Sequence, residues 1–172
     1  MHPKADSEKR SNFCQKLEQY RKEGRSLVWL DESGFAHDMP RIYGYAPQGE
    51  RCYGIHDWSS RGRTNVIGAL LGTILLTISL FSTSINTQTF TGWITQDLLP
   101  KLPPKSVIIL DNASFHKGIA MQQAIQQAGH TLLYLPPYSP DLNPIEHKWA
   151  QAKSLRRKYR CDIQQLFVDY VI

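Results

Sequence analysis

SVIILD, residues 106–111, is an aliphatic run that ends in an aspartate, and it repeats the form of SLVWLD at residues 26–31. Each run is short and apolar enough to predict a strand buried in a sheet. Three further apolar runs, at residues 65–71, 74–81 and 131–135, predict three more strands. Because helical patterns follow and separate these strands, the sequence predicts an α/β domain with a mixed central β-sheet flanked by helices.

Four helices are predicted from apolar residues at three- to four-residue spacing. They cover residues 6–23, a segment running from Asn86 to the prolines of residues 100–104, residues 117–128 and residues 143–159. The Gly-, Tyr- and Arg-rich residues 35–63 predict a hairpin or an irregular insertion.

The uncharged residues 64–96 admit a second interpretation, because residues 66–81 are apolar and carry Gly68 and Gly72 at the spacing of a transmembrane helix contact. The apolar core of this stretch is shorter than a usual membrane span, and Gly72 with Thr73 interrupts it. Two buried strands joined by a tight turn are therefore favoured over a membrane helix.

The composition is that of one globular domain, with 172 residues of which 41% are hydrophobic and 20% are charged. The net charge of +5 favours a polyanionic partner without requiring one. Cys14, Cys52 and Cys161 form no C-x-x-C pair, so we expect reduced thiols and neither a disulfide framework nor a zinc site. The N-terminus lacks the apolar segment of a signal peptide, which favours a cytoplasmic protein.

Three carboxylates stand out by their position. Asp31 and Asp111 end predicted strands, and Glu146 begins a predicted helix behind a proline-rich segment. Carboxylates on neighbouring strands repel one another unless a cation lies between them, and an all-oxygen set suits Mg²⁺ or Mn²⁺. A two-metal site able to act on a phosphodiester is one interpretation.

Structural roles are the alternative for the same residues. Strand-end aspartates often cap turns, and Glu146 falls at the third position of a helix for which Asn143 is a suitable N-cap and Pro144 a suitable first residue. Two nearby acids are expected to lie outside the site. Glu32 should face away from Asp31 across the strand, and Asp141 should hold a turn.

Three segments resemble the catalytic domain of mariner-like insertion-sequence transposases, members of the DDE endonuclease superfamily. They are LVWLDESGF at residues 27–35, VIILDNASFHK at residues 107–117 and LLYLPPYSPDLNPIEHKWAQAK at residues 132–153. The 34 residues between Asp111 and Glu146 are typical of that family. The resemblance implies an RNase H-like fold in which Asp31, Asp111 and Glu146 are catalytic residues that bind Mg²⁺ or Mn²⁺, with two ions expected.

The same resemblance implies an activity on double-stranded DNA. It implies metal-dependent cleavage of transposon ends by water, followed by transfer of the freed 3′-OH into target DNA at TA dinucleotides, within a homodimer. A catalytically silent remnant that binds DNA or other transposase subunits is the alternative, and a general RNase H-like nuclease or resolvase is a third. We expect a prokaryotic, nucleoid-associated protein.

The expected organisation has three parts: an N-terminal helical segment at residues 1–25, the DDE catalytic domain at residues 26–160, and a C-terminal helix at residues 161–172, either complete or truncated at its end. The helix-turn-helix region that reads transposon ends in this family has no counterpart in the short segment before the first strand. We therefore expect a separate helix-turn-helix polypeptide, or one joined by frameshifting, to supply end recognition.

Candidate DNA-binding residues lie around the carboxylates and along the last long helix. They are Asn112, His116, Lys117, Tyr138, Lys148, Lys153, Arg156 and Arg157. Each has a structural alternative: a turn-forming Asn, a hydrogen-bonded structural His, a Tyr that braces the proline segment, and a solvated basic helix face.

Overall fold

The computed structural model describes residues 2–36 and 62–170. The insertion predicted at residues 35–63 falls mostly outside these residues. The helices are α1 Ser7–Lys22, α2 Thr87–Trp93, α3 Ile119–Gln127, α4 Ile145–Tyr159 and α5 Ile163–Asp169, and the strands are β1 Leu27–Ala36, β2 Arg63–Leu71, β3 Ile74–Phe81, β4 Val107–Leu110 and β5 Thr131–Tyr134. A π-helical turn, Ile94–Leu98, and a 3₁₀ turn, Leu99–Lys101, extend α2.

The five strands form one mixed sheet in the order β3-β2-β1-β4-β5. The pairs β3–β2 and β2–β1 are antiparallel, while β1–β4 and β4–β5 are parallel. The uncharged stretch therefore forms β2 and β3, joined by a tight turn at Gly72, whose φ is +64°. Within the described residues, no helix has the length and apolarity needed to cross a membrane.

The predicted end of β1 at Asp31 is wrong, because the strand continues through Ser33 and Gly34 to Ala36. The antiparallel partner β2 causes the difference: it pairs with β1 from Val28 to Ala36, whereas parallel β4 pairs only with Leu27 to Trp29. Ser33 and Gly34, which are residue types that favour a turn, form extended chain here. Asp31 consequently lies just beyond the point where β1 loses its parallel neighbour.

The sheet is covered on both faces, as its continuous apolar strands require. On one face, α1, α4 and α5 pack against inward side chains that include Trp29 and Val66. On the other face, α2 and α3 pack against Val28, Leu30 and Ile67. Because neighbouring side chains of a strand point to opposite faces, Asp31 lies on the α4 side of β1 and Glu32 lies on the α2 side.

Helix α4 lies close to the sheet because β2 has a glycine beneath it. A Cβ added to Gly68 would lie 2.6 Å from Cη2 of Trp149, which is 3% exposed and cannot swing away freely. We therefore expect Gly68→Ala to lower the free energy of unfolding by about 1–3 kcal/mol through overpacking. Urea unfolding followed by circular dichroism measures the change.

Gly92→Ala is the matched control for this substitution, because a Cβ at Gly92 meets no atom within 4 Å. Adding a methyl group in a helix is expected to be neutral or to raise the free energy of unfolding slightly, by about 0.5–1 kcal/mol. Equal destabilisation by the two substitutions would contradict the proposed close contact between Gly68 and Trp149.

Candidate active site

The three predicted carboxylates line one open cavity of about 390 Å³. Asp31 comes from β1, Asp111 from the residue that follows β4, and Glu146 from the first turn of α4. The remaining lining residues are Asn112, Leu135, Pro136, Pro137, Tyr138, Ser139, Pro140 and Asn143. The parallel pairing of β1 with β4 explains the convergence, because it brings the carboxyl ends of both apolar runs to the same edge of the sheet.

Asp31 is the most deeply buried carboxylate of the site, with only 8% of the residue exposed. Its burial, the adjacent charge of Glu32, and a hydrogen bond and repulsion with Glu146 raise the pKa of Asp31 to about 8. The carboxyl group of Asp31 therefore holds a proton near neutral pH when no cation is present.

Glu146 faces Asp31 because the backbone donor that would compete for it is already occupied. The Asn143 N–H donates to the Pro140 carbonyl at 3.0 Å, so Glu146 does not form the reciprocal cap that the local sequence predicts. The Asn143 side chain does stabilise the helix start, since its Oδ1 accepts the Ile145 N–H at 3.2 Å. The helix itself begins at Ile145, two residues later than predicted, with Pro144 as its flanking residue.

Asn143 also ties this helix start to β1. It is 3% exposed, and its Nδ2 donates to the Leu30 carbonyl at 3.2 Å, immediately before Asp31. One buried amide therefore sets the position of α4 relative to the strand that carries the first carboxylate.

Asp111 is oriented by two donors, which both reach the same carboxylate oxygen. Its Oδ1 accepts the Ala113 N–H at 2.9 Å and approaches Nδ1 of His116 at 2.8 Å, while 49% of the side chain remains exposed. Burial alone would raise the pKa of Asp111, but the hydrogen bond from His116, the Ala113 N–H and the positive charge of His116 lower it. Asp111 is therefore ionised in the structure.

Glu32 faces away from Asp31, as predicted, and its carboxylate contacts His116. Its Oε1 lies 2.6 Å from Nε2 of His116, so the imidazole of His116 bridges Glu32 and Asp111. Ligand atoms of these three residues lie within 4.8 Å of one another. The two carboxylates contact different nitrogens of the ring, at separations of 2.6 and 2.8 Å, so the arrangement is that of a hydrogen-bonded bridge. No local pattern in the sequence predicts this contact, because Glu32 and His116 are 84 positions apart.

A family model described as DDE superfamily endonuclease matches residues 26–166. The chain belongs to this family. No curated protein matches the sequence. Solved structures share the RNase H-like fold: the mariner Mos1 paired end complex with Mg has a TM-score of 0.66 at 19% identity, with 90% of this chain and 50% of that chain covered.

Two further structures agree with this fold. The Mos1 strand transfer complex has a TM-score of 0.64 at 18% identity, with 86% of this chain and 47% of that chain covered. The Mos1 transposase catalytic domain has a TM-score of 0.60 at 13% identity, with 92% and 74% covered. The chain thus spans about half the length of the Mos1 chains in the complexes. The boundaries predicted at residues 25 and 160 stay predictions.

Two of the DNA-binding candidates of this DDE domain are buried and unavailable to a phosphate backbone. His116 is 0% exposed, and both of its ring nitrogens are engaged by carboxylates, so the structural alternative is the one observed. Arg156 is 8% exposed and donates to the Ala36 carbonyl at 2.6 Å. Arg156 lies seven residues after Trp149 on α4 and therefore shares its buried face.

Other DNA-binding candidates lie at the surface. Asn112 and Tyr138 border the cavity. The Asn112 Nδ2 donates to the Leu135 carbonyl, and its Oδ1 has no hydrogen-bond partner among residues 2–36 and 62–170. Lys117 and Arg157 are exposed, whereas Lys148 and Lys153 are partly buried. Their contact with DNA stays a prediction.

The proline-rich segment at residues 135–144 is bound to α1 through Asp141, whose role differs from the one predicted. Asp141 was expected to hold a turn, but its two carboxylate oxygens accept from the Arg10 guanidinium at 3.0 and 2.7 Å. The 3₁₀ turn is closed instead by the backbone, from the Leu142 N–H to the Ser139 carbonyl. Tyr138, with a φ of +55°, stacks on His2 at a ring distance of 5.0 Å. The cavity rim is thus held from the N-terminal side.

Proposed function

We propose that this chain is the catalytic part of a DNA transposase, which cleaves transposon ends in a metal-dependent reaction and transfers the freed 3′-OH into target DNA. The observation that carries the proposal is the convergence of Asp31, Asp111 and Glu146 on one cavity from three separate elements. The structural neighbours support it, because they include Mos1 complexes with paired transposon ends, a strand transfer complex, and complexes with Mg and with Mn.

The donor set fits a hard divalent cation. Asp31, Asp111 and Glu146 offer only carboxylate oxygens, which Mg²⁺ and Mn²⁺ prefer. Burial first, and then the charges of Glu32 and Glu146, raise the pKa of Asp31, and a bound cation would stabilise the ionised form of this carboxylate. Two such ions would supply Lewis-acid activation of the attacking oxygen and stabilisation of the leaving oxygen at a phosphodiester.

The residues of the chain provide positioning. Asp31 is fixed within the sheet, Glu146 is aimed by the start of α4, and the donors behind Asp111 keep that carboxylate ionised. The rim formed by the proline segment is rigid in its backbone, which limits the positions open to a scissile phosphate.

We further propose the features that concern the whole transposase. The substrate is double-stranded DNA, the active form is a homodimer across paired ends, insertion occurs at TA sites, and a separate or frameshift-fused helix-turn-helix part recognises the ends. Their support is the motif resemblance and the coverage of about half of each Mos1 chain in the complexes.

Incubation of the purified chain with labelled DNA carrying the terminal inverted repeats of its own element tests the proposal. Nicks at the repeat boundaries and joined products are expected with Mg²⁺ or Mn²⁺, and none with EDTA or Ca²⁺. If the chain alone shows no specificity for the ends, a fusion to the helix-turn-helix part proposed above is expected to restore it. DNA binding without any cleavage, in both forms and with both metals, would instead indicate the catalytically silent alternative.

A further inference from the structure

His116 is a buried histidine that the proposed chemistry does not use directly. It is fully buried among Phe90 and Phe115, whose ring centres lie 4.5 and 4.4 Å from its own. Both of its ring nitrogens nevertheless face carboxylate oxygens, Glu32 Oε1 at 2.6 Å and Asp111 Oδ1 at 2.8 Å. Two such short contacts, one at each nitrogen, fix the orientation of the buried ring.

The two contacts link the elements that carry the first two carboxylates of the site. Glu32 belongs to β1 and directly follows Asp31, whereas Asp111 follows β4. Beyond Trp29 and Ile109 these strands no longer pair through their backbones. The Glu32–His116–Asp111 bridge therefore continues the connection between β1 and the chain after β4 at the level of the site.

The bridge also selects which oxygen of Asp111 faces the cavity. Oδ1 receives both the Ala113 N–H and the His116 Nδ1–H, while Oδ2 receives no donor from residues 2–36 and 62–170. Fixing one oxygen from behind orients the other toward the space shared with Asp31 and Glu146. Hydrogen bonds of this kind behind a metal ligand commonly change metal affinity by about 10–100-fold when they are removed.

We propose that Glu32 and His116 are positioning residues for the metal site, with His116 orienting the Asp111 carboxylate and Glu32 holding the His116 ring. The proposal rests on the assignment of Asp31, Asp111 and Glu146 as metal ligands. It places the acidic residue beside Asp31 in the same functional unit, although its side chain lies on the opposite face of the sheet.

Two substitutions of His116 separate orientation from packing. Asn places an amide nitrogen where Nδ1 lies and can still donate to Asp111, whereas Gln reaches further, toward the Nε2 position and Glu32. Both remove the ring from its contacts with Phe90 and Phe115, so both are expected to lower the thermal unfolding temperature by similar amounts. We expect His116→Gln to weaken Mn²⁺ binding by about 10–100-fold and His116→Asn to remain much nearer to the wild type.

Glu32 needs a separate pair, because its charge alone attracts cations. Glu32→Gln keeps an oxygen that accepts from His116 Nε2, whereas Glu32→Ala removes it. Under the proposal, Glu32→Gln binds Mn²⁺ nearly as well as the wild type and Glu32→Ala binds it markedly less well. If both variants lose affinity equally, the charge is responsible and Glu32 is not a positioning residue.

Electron paramagnetic resonance of free Mn²⁺, titrated with each folded variant in the absence of DNA, measures these affinities. Asp111→Asn and the wild type are the references. If those two bind Mn²⁺ alike, the metal site itself is wrongly assigned and the proposed function fails. If they differ but His116→Gln binds Mn²⁺ like the wild type, only the positioning proposal is overturned.

Discussion

Asp111→Asn is expected to reduce cleavage of transposon-end DNA by about a thousandfold or more, the scale observed when an essential electrostatic group is removed from an active site. The amide retains the shape and can still accept from Ala113 and His116, but it contributes no charge to a divalent cation. Gel assays of nicking under single-turnover conditions measure the loss. Glu146→Gln is expected to have an effect of similar size.

Asp169→Asn is the control for this prediction, because Asp169 is an exposed acid at the end of α5 and does not line the cavity. It should retain cleavage close to that of the wild type, as should His147→Asn, which alters the exposed residue beside Glu146. Full cleavage by Asp111→Asn, or a loss in Asp169→Asn as deep as that in Asp111→Asn, would contradict the assigned site.

Asp31→Asn is expected to have opposite effects on stability and on metal binding. Because the folded-state pKa of Asp31 is raised to about 8, the folded protein holds a proton there that the unfolded chain, with its ordinary acidic pKa, has released. Between those two pKa values, stability therefore falls as the pH rises. A neutral amide avoids this cost, so the substitution should raise the free energy of unfolding of the metal-free protein at pH 8 by a few kcal/mol, as an order of magnitude.

Urea unfolding in EDTA at pH 5, 6.5 and 8 measures this difference. The advantage of Asp31→Asn should be small at pH 5, where Asp31 is protonated and resembles Asn, and should grow toward pH 8. Asp169→Asn, which changes an exposed acid at the end of α5, should show no such trend. Adding Mg²⁺ should stabilise the wild type by mass action and leave Asp31→Asn unchanged. A gap that shrinks toward pH 8 would show that Asp31 is not the perturbed group.

Most of the sheet could be predicted because its strands are continuous apolar runs bounded by turn residues. The order of β2, β3, β4 and β5 along the chain, and the turn at Gly72, agree with the local sequence. The end of β1 could not be predicted in this way. Ser33 and Gly34 favour a turn locally, but hydrogen bonding to β2 overrides that preference, and the absence of a Cβ at Gly34 leaves room for the Arg63 side chain.

The start of α4 shows a similar limit. The local sequence allows the Glu146 carboxylate two roles. It could accept the Asn143 N–H at the helix start, or it could face the cavity as a metal ligand, and one carboxylate cannot do both. The contact of the Asn143 N–H with Pro140 removes the first option. That contact depends on the 3₁₀ turn of the proline segment, which helix-capping rules do not describe.

The amino-acid sequence alone was sufficient for the α/β class, for the family resemblance and for Asp31, Asp111 and Glu146 as candidate ligands, because strand periodicity and residue spacing are local properties. The partner of each side chain was decided only by tertiary structure. Glu32, His116, Arg156 and Asp141 all find their partners across long sequence separations. Such contacts depend on which side chains are buried and on how close separate elements lie, and a local sequence pattern predicts neither.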